Sequence, residues 1–400
     1  MPSRNSSRPA LAETAPEGGF GLYIHWPFCA SKCPYCDFNS HVAEAIDTGS
    51  WQAAYLSELD RYGRETEGRV LNAVYFGGGT PSLMEPALVG ALLDRLGNYW
   101  RFANDLEVTL EANPGSVEAG RFAGFRASGV NRLSMGFQAL NDADLKALGR
   151  LHSVSEALSA LDIARAHFTR VNFDLIYARQ EQSLSAWETE LHRALSLGPD
   201  HLSLYQLTIE PGTAFGNRFA RGGLRGLPEE DLAADMYFLT QDICEAAGLP
   251  AYEVSNHAQS GEESRHNLIY WRGGDWVGIG PGAHGRLTFG GRRLATWTEL
   301  SPAKWLAQAS DGAGEGGGGE AGRSQLSASD HAGEYLMMSL RTCEGLDIAR
   351  YTSIAGAGLN PEKVDMLKAH GLAVESSGRL IATRAGRAVL NALVADLLPD

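Results

Sequence analysis

Between Phe20 and Thr208 the hydrophobic positions follow two alternating patterns. Compact runs rich in β-branched and aromatic residues predict strands over Phe20–Trp26, Val70–Phe76, Leu106–Glu111, Asn131–Gln138, Arg170–Tyr177 and His201–Leu207. The segments between them carry apolar residues at steps of three and four. These steps predict helices over Trp51–Arg64, Pro86–Tyr99, Val117–Ala127, Asp142–His167 with a break near His152, and Leu184–Leu197. In the first of these helices Tyr55, Leu59 and Tyr62 share one face. Six strand–helix units joined by short loops predict an α/β fold, a parallel sheet with helices outside. Periodicity alone leaves an open sheet and a barrel as alternatives.

After Leu207 the alternation stops. Leu227–Ala247 reads as a long amphipathic helix with acids at its amino end, and Tyr252–Ser255 as an edge strand. The stretch His266-Asn267-Leu268-Ile269-Tyr270-Trp271 and the loop from Gly278 to Gly285 follow. Asp311–Arg323 is Gly-rich and predicts a flexible linker. Beyond it, helices near Asp330–Leu340, Asp347–Ile354 and Pro361–His370 and a hairpin over Leu372–Thr383 predict a small helical or winged-helix-like domain. That domain lacks a basic recognition helix and reads as a lid or partner surface. The expected division is a disordered lead-in over 1–19, an α/β unit over 20–210, its extension over 211–310, a linker over 311–323 and a C-terminal domain over 324–400.

Polar and glycine positions add a second regularity. A cysteine loop, Gly77-Gly78-Gly79-Thr80-Pro81, Glu111, Gln138, Asp174 and Thr208 all fall just after strand carboxyl ends. Parallel α/β folds assemble their sites on that face, so these residues are expected to meet. Composition narrows the partners. A net charge of −14 argues against nucleic acid. The polar, Pro- and Ser-rich first residues do not resemble a signal peptide. With no apolar run of about 18 residues, any membrane contact is expected to be peripheral. Three of the five cysteines share one motif, which points to a reducing, cytoplasmic setting.

That motif is Cys29, Cys33 and Cys36, spaced C-x3-C-x2-C. A structural zinc site takes four protein ligands, and no fourth Cys or His completes a second pair nearby. Disulfide pairing leaves one thiol over. Three thiolates do suit a cubane iron–sulfur cluster, with the fourth iron open to a small molecule. Zinc and inert thiols stand as the alternatives.

The cysteine loop after a strand resembles that of the radical S-adenosylmethionine (SAM) enzymes. Its flanks resemble the oxygen-independent coproporphyrinogen III oxidase family and, within it, the HemW group of haem chaperones. The resemblance implies a partial (β/α)6 barrel, a [4Fe-4S] cluster on the three cysteines, and SAM bound at its open iron. By position it implies SAM contacts from Tyr23, Tyr35, Gly78, Gly79, Thr80, Glu111, Gln138, Arg150, Asp174, Thr208 and His284. His266 opens an HNxxYW motif associated with haem in that group, and is the haem ligand that the resemblance implies.

Two departures bear on function. The oxidase carries a fourth cysteine two residues after the third, where this chain has Phe38. Many relatives carry a Gly-Leu-Pro-type turn where this chain has Ala178-Arg179-Gln180-Glu181-Gln182. The implied function is a cytoplasmic haem chaperone that delivers haem to respiratory proteins, without coproporphyrinogen dehydrogenase activity. The alternatives are that dehydrogenase, which decarboxylates coproporphyrinogen III, and a zinc-stabilised interaction module. Cys244 and Cys343 read as buried free thiols.

Overall fold

A computed structural model describes residues 17–43, 45–311 and 317–398, so most of the expected lead-in and part of the Gly-rich run lie outside the described residues. The chain builds one eleven-stranded mixed sheet. In chain order its strands are β1 (Phe20–Trp26), β2 (Val70–Gly78), β3 (Arg101–Ala112), β4 (Arg132–Gln138), β5 (Arg170–Tyr177) and β6 (His201–Gln206). They are followed by β7 (Asn256–Ala258), β8 (Asp275–Ile279), β9 (His284–Phe289), β10 (Arg292–Thr298) and β11 (Glu320–Gln325). The spatial order is β11-β10-β9-β8-β1-β2-β3-β4-β5-β6-β7. β8 and β1 to β6 run parallel, while β7 at one end and β9 to β11 at the other are antiparallel. The sheet does not close into a barrel.

The six strands expected from periodicity are present. The seventh parallel strand is β8, which lies beside β1 in register Phe20 to Asp275 through Ile24 to Ile279. Its first residue is a buried acid: Asp275 accepts from Arg69 at 2.6 Å, Arg293 at 2.9 Å and the Thr288 hydroxyl at 2.9 Å. The expected edge strand at Tyr252–Ser255 is displaced to Asn256–Ala258, which pairs with β6. Glu320–Arg323, the end of the expected linker, is not a linker but part of β11. Its first residue explains why: Glu320 is fully buried and accepts from Arg61, Tyr62 and Arg323.

Helices cover the sheet as the apolar faces dictate. In the helix Thr48–Glu65, capped by Asp47, Trp51, Tyr55, Leu59 and Tyr62 are buried. Trp305 stacks on Trp51 at 5.5 Å between ring centres, so this extension packs on the α/β unit. Ser153 begins a new helix after the break near His152, through a reciprocal capping box with Glu156. The C-terminal region has its own core, formed by Tyr335, Leu336, Leu340, Leu367, Leu380 and Leu393 among others. A three-stranded sheet accompanies it: Leu346–Asp347, Arg379–Ala382 and Ala373–Ser376. No helix among the described residues is long and apolar enough to cross a membrane.

Candidate functional site

Three cavities share lining residues on the parallel strands, two at the strands' carboxyl ends and one deeper along them. The first, about 150 Å³, is ringed by Cys29, Cys33 and Cys36 from the loop after β1 and by Gly78 to Pro81 after β2. The second, about 360 Å³, lies between the strands and the helix Arg265–Trp271. The third is a cleft of about 830 Å³ between the strand ends and the C-terminal region. Glu111 and Asp174 line all three.

The glycines earn their place by packing. Gly78 has φ +110°, and a methyl group there would meet the His25 ring at 2.6 Å. A methyl on Gly79 would meet the Phe28 backbone at 2.7 Å. Their amides are largely committed: Gly78 donates to Glu111 at 3.2 Å, Gly79 to the Trp26 carbonyl at 2.7 Å, and Thr80 to the Phe28 carbonyl at 2.8 Å. The Gly-rich turn therefore clamps the cysteine loop against β2. Asn39 secures the far side by donating to the Pro281 and Leu300 carbonyls, both at 2.9 Å.

All three cysteines are free and half-buried. Arg150 donates to the Cys33 sulfur at 3.3 Å and to Asn113 at 2.6 Å. Burial pushes the Cys29 and Cys36 thiols up from their ordinary value. Among the described residues no three His, Cys, Asp or Glu side chains are grouped about a single metal position. Three sulfurs spread around a cavity, with a guanidinium beside one of them, suit a larger anionic cluster.

The acids fit a cationic, hydroxyl-bearing ligand such as SAM. Glu111 accepts from the Tyr75 hydroxyl at 2.8 Å, and burial pushes its carboxyl up to about 7, with Asp174 adding to the rise. Asp174 is pushed up to about 6 by burial, against the pull of Ser203 and Arg150. Its Oδ1 is buried without a partner. An orphan carboxylate oxygen in a shared cavity wall is a group waiting for a donor. Gln138 completes this wall with φ +70°, at a register shift between β4 and β5. A side chain held in that backbone region is a strained feature of the kind that gathers at ligand sites.

The expected residues divide among these spaces. Tyr35, Gly78, Gly79, Thr80, Glu111, Gln138, Arg150 and Asp174 line the cysteine cavity, and Thr208 lines the cleft. Tyr23 does not stand beside the cysteines. It sits three residues before the end of β1, its hydroxyl meets His25 Nδ1 at 2.9 Å, and it lines the second cavity. His284 lines none of the three; it is exposed at the start of β9, and its carbonyl accepts from Trp276. Cys343 is exposed rather than buried.

His266 lines the second cavity. Its ring is buried, 4.4 Å from Tyr75 and 4.5 Å from Tyr270 between ring centres, and burial lowers its pKa to about 3. Glu107 explains the placement: it accepts the amides of Arg265 and His266 at 3.0 and 3.3 Å, pinning the helix amino end into the sheet. The HNxxYW helix thus places its imidazole on the wall of the second cavity. Residues that the sequence reading passed over are Asn113, Tyr75, Ser134 and Ser203. Asn113 sits two residues after Glu111 and so was recoverable from strand alternation.

The turn after β5 places two non-glycine residues at positive φ. Ala178 and Glu181 both have φ +57°, a conformation that favours glycine. Arg179 holds it from within, buried and donating to Glu190 at 2.6 Å and Asp144 at 2.9 Å.

A three-cysteine loop closing a parallel α/β sheet, beside an acidic, glycine-clamped cavity, defines a radical SAM protein. Residues 23–192 match the radical SAM superfamily, and residues 326–389 match the HemN C-terminal domain. The chain belongs to the family of the heme chaperone HemW. It is 36% identical over 93% of its length to heme chaperone HemW of Escherichia coli, covering 96% of that protein. It is 37% identical over 98% to heme chaperone HemW of Mycobacterium tuberculosis, covering 97% of it. A mouse relative, radical S-adenosyl methionine domain-containing protein 1, mitochondrial, is 38% identical over 95% of this chain, which covers 87% of that relative. The solved structure of coproporphyrinogen III oxidase (HemN) from Escherichia coli shares the fold, with a TM-score of 0.78 at 22% identity over 96% of this chain and 90% of that one.

Proposed function

We propose that this protein is a cytoplasmic haem chaperone that carries a [4Fe-4S] cluster, binds SAM beside it, and passes haem to respiratory proteins, with any membrane contact peripheral. In this reading Cys29, Cys33 and Cys36 hold the cluster, which when reduced supplies electrons to SAM. Arg150 offsets negative charge at Cys33. Glu111 and Asp174 orient the cationic and hydroxyl groups of SAM, with Gln138 and Tyr35 beside them. The clamp made by Gly78, Gly79 and Thr80 fixes the loop so that cluster and SAM share one wall. The haem function of the full-length relatives is carried over to this chain on that basis.

The observation that carries the reading is the third cavity. At about 830 Å³ it is of ligand size for a large flat molecule, and it opens beside the cysteine loop. Phe38 lines it, 59% exposed, where the oxidase has a cysteine. The test is turnover beside transfer. Reconstituted, reduced protein with SAM is expected to leave coproporphyrinogen III unchanged, while haem-loaded protein restores activity to haem-depleted respiratory membranes. Decarboxylation of the porphyrinogen without any haem transfer overturns the reading.

A further inference from the structure

The second cavity, beside His266, is about 360 Å³ and lies between the strands and the helix Arg265–Trp271. The cleft is different. Its sheet-side wall carries the carboxylates Asp37, Glu111, Asp174 and Glu210, whereas its C-terminal wall carries two guanidiniums, Arg341 and Arg387. Between them lie apolar surfaces from Ile176, Leu207, Val254, Val389 and Leu390. Arg341 is fixed by the buried carboxylate of Glu253 at 3.1 Å, and its guanidinium lies 4.8 Å over the Trp271 ring. Arg387 donates to the Ala382 carbonyl at 3.0 Å, pairs with no carboxylate among the described residues, and leaves a buried Nε without a partner. In a chain of net charge −14, an arginine with no carboxylate partner facing a ligand-sized cleft is a prepared anion site.

We infer that this cleft is where haem lies, its macrocycle against Leu207, Val389 and Leu390 and its propionates on Arg341 and Arg387. The inference rests on the haem-chaperone reading and gives it a location. An apolar cleft with two arginines among its lining residues matches the amphiphilic character of a dicarboxylic porphyrin. The acids opposite orient the propionates away from the cysteine loop. The cleft offers the iron no His or Met among its lining residues, only oxygen donors and the cysteine assigned to the cluster. Haem is therefore held by its edges and faces, which suits a cargo that must leave.

The test is spectrophotometric titration of the full chain, anaerobically reconstituted, with haem and with haem whose propionates are blocked as methyl esters. Arg387→Glu is expected to weaken binding of haem at least tenfold, on the order of one charge-assisted contact, and to leave the weaker binding of the diester unchanged. The diester arm uses wild-type protein and needs no variant to fold; it is expected to bind more weakly than haem. His266→Phe is expected to bind haem as wild type does. Equal affinity for haem and its diester, or wild-type affinity in Arg387→Glu, overturns the cleft assignment while leaving a haem-binding protein. Absence of haem binding by the wild type overturns the functional reading instead.

Discussion

The account of the HNxxYW segment makes Glu107 its anchor, and that assignment has a measurable size. Glu107 is fully buried and pairs with Arg132 at 3.0 Å and Arg170 at 2.8 Å while accepting two helix amides. Glu107→Gln keeps the shape and one acceptor but removes the charge. Arg132, itself buried, retains only Asn172 and the carbonyls of Glu262 and Glu263. Arg170 keeps Glu262 at 2.6 Å. Breaking a buried pair from one side costs about 3–5 kcal/mol, and these surviving partners put Gln at about 3 kcal/mol. Glu107→Ala also strands the helix amides, so it is expected to cost about 1–3 kcal/mol more. Urea unfolding at pH 7, followed by far-UV circular dichroism, gives both values from the midpoint and slope. A Glu107→Gln protein within about 0.5 kcal/mol of wild type refutes the anchoring argument.

Other consequences can be checked together. Replacing Cys29, Cys33 or Cys36 by Ala is expected to abolish the broad visible absorption of the reconstituted cluster; a retained spectrum removes that ligand. Arg150→Gln is expected to keep the cluster but make it harder to reduce, since a cation beside Cys33 is lost; an unshifted potential in a redox titration contradicts this. Glu111 and Asp174 hold their protons in the folded state up to about 7 and about 6, whereas both ionise near 4 when unfolded. Their contribution therefore falls as pH rises from about 4 to 7, and Glu111→Gln with Asp174→Asn is expected to remove that fall in urea unfolding across the window. Ala178→Gly is expected to stabilise the fold by about 1 kcal/mol, because φ +57° strains any side chain there; a loss of stability contradicts the strain.

Much of this architecture was legible because local patterns carried it. β1 to β6 and their helices announce themselves by periodicity, and the phase of cysteine loop, Glu111, Gln138 and Asp174 placed one face of the sheet. What the pattern concealed depends on contacts between distant residues. β8 is five residues long and runs into Gly280, so nothing local separates it from a loop. β11 lies in a Gly-rich stretch and exists because Glu320 finds Arg61 and Tyr62 some 258 or more positions away. The inward placement of His266 depends on Glu107, which fixes its helix and lies 159 residues earlier. Tyr23 is near the cysteines in sequence, but its distance from the strand end carries it into the second cavity. The cleft itself needs the C-terminal region folded against the strand ends, and no single segment encodes it.

Equilibrium haem titration of the anaerobically reconstituted protein tests the central claim most directly. The account predicts saturation at one haem per chain in protein whose cluster is intact. Failure to bind haem at stoichiometric concentrations contradicts it.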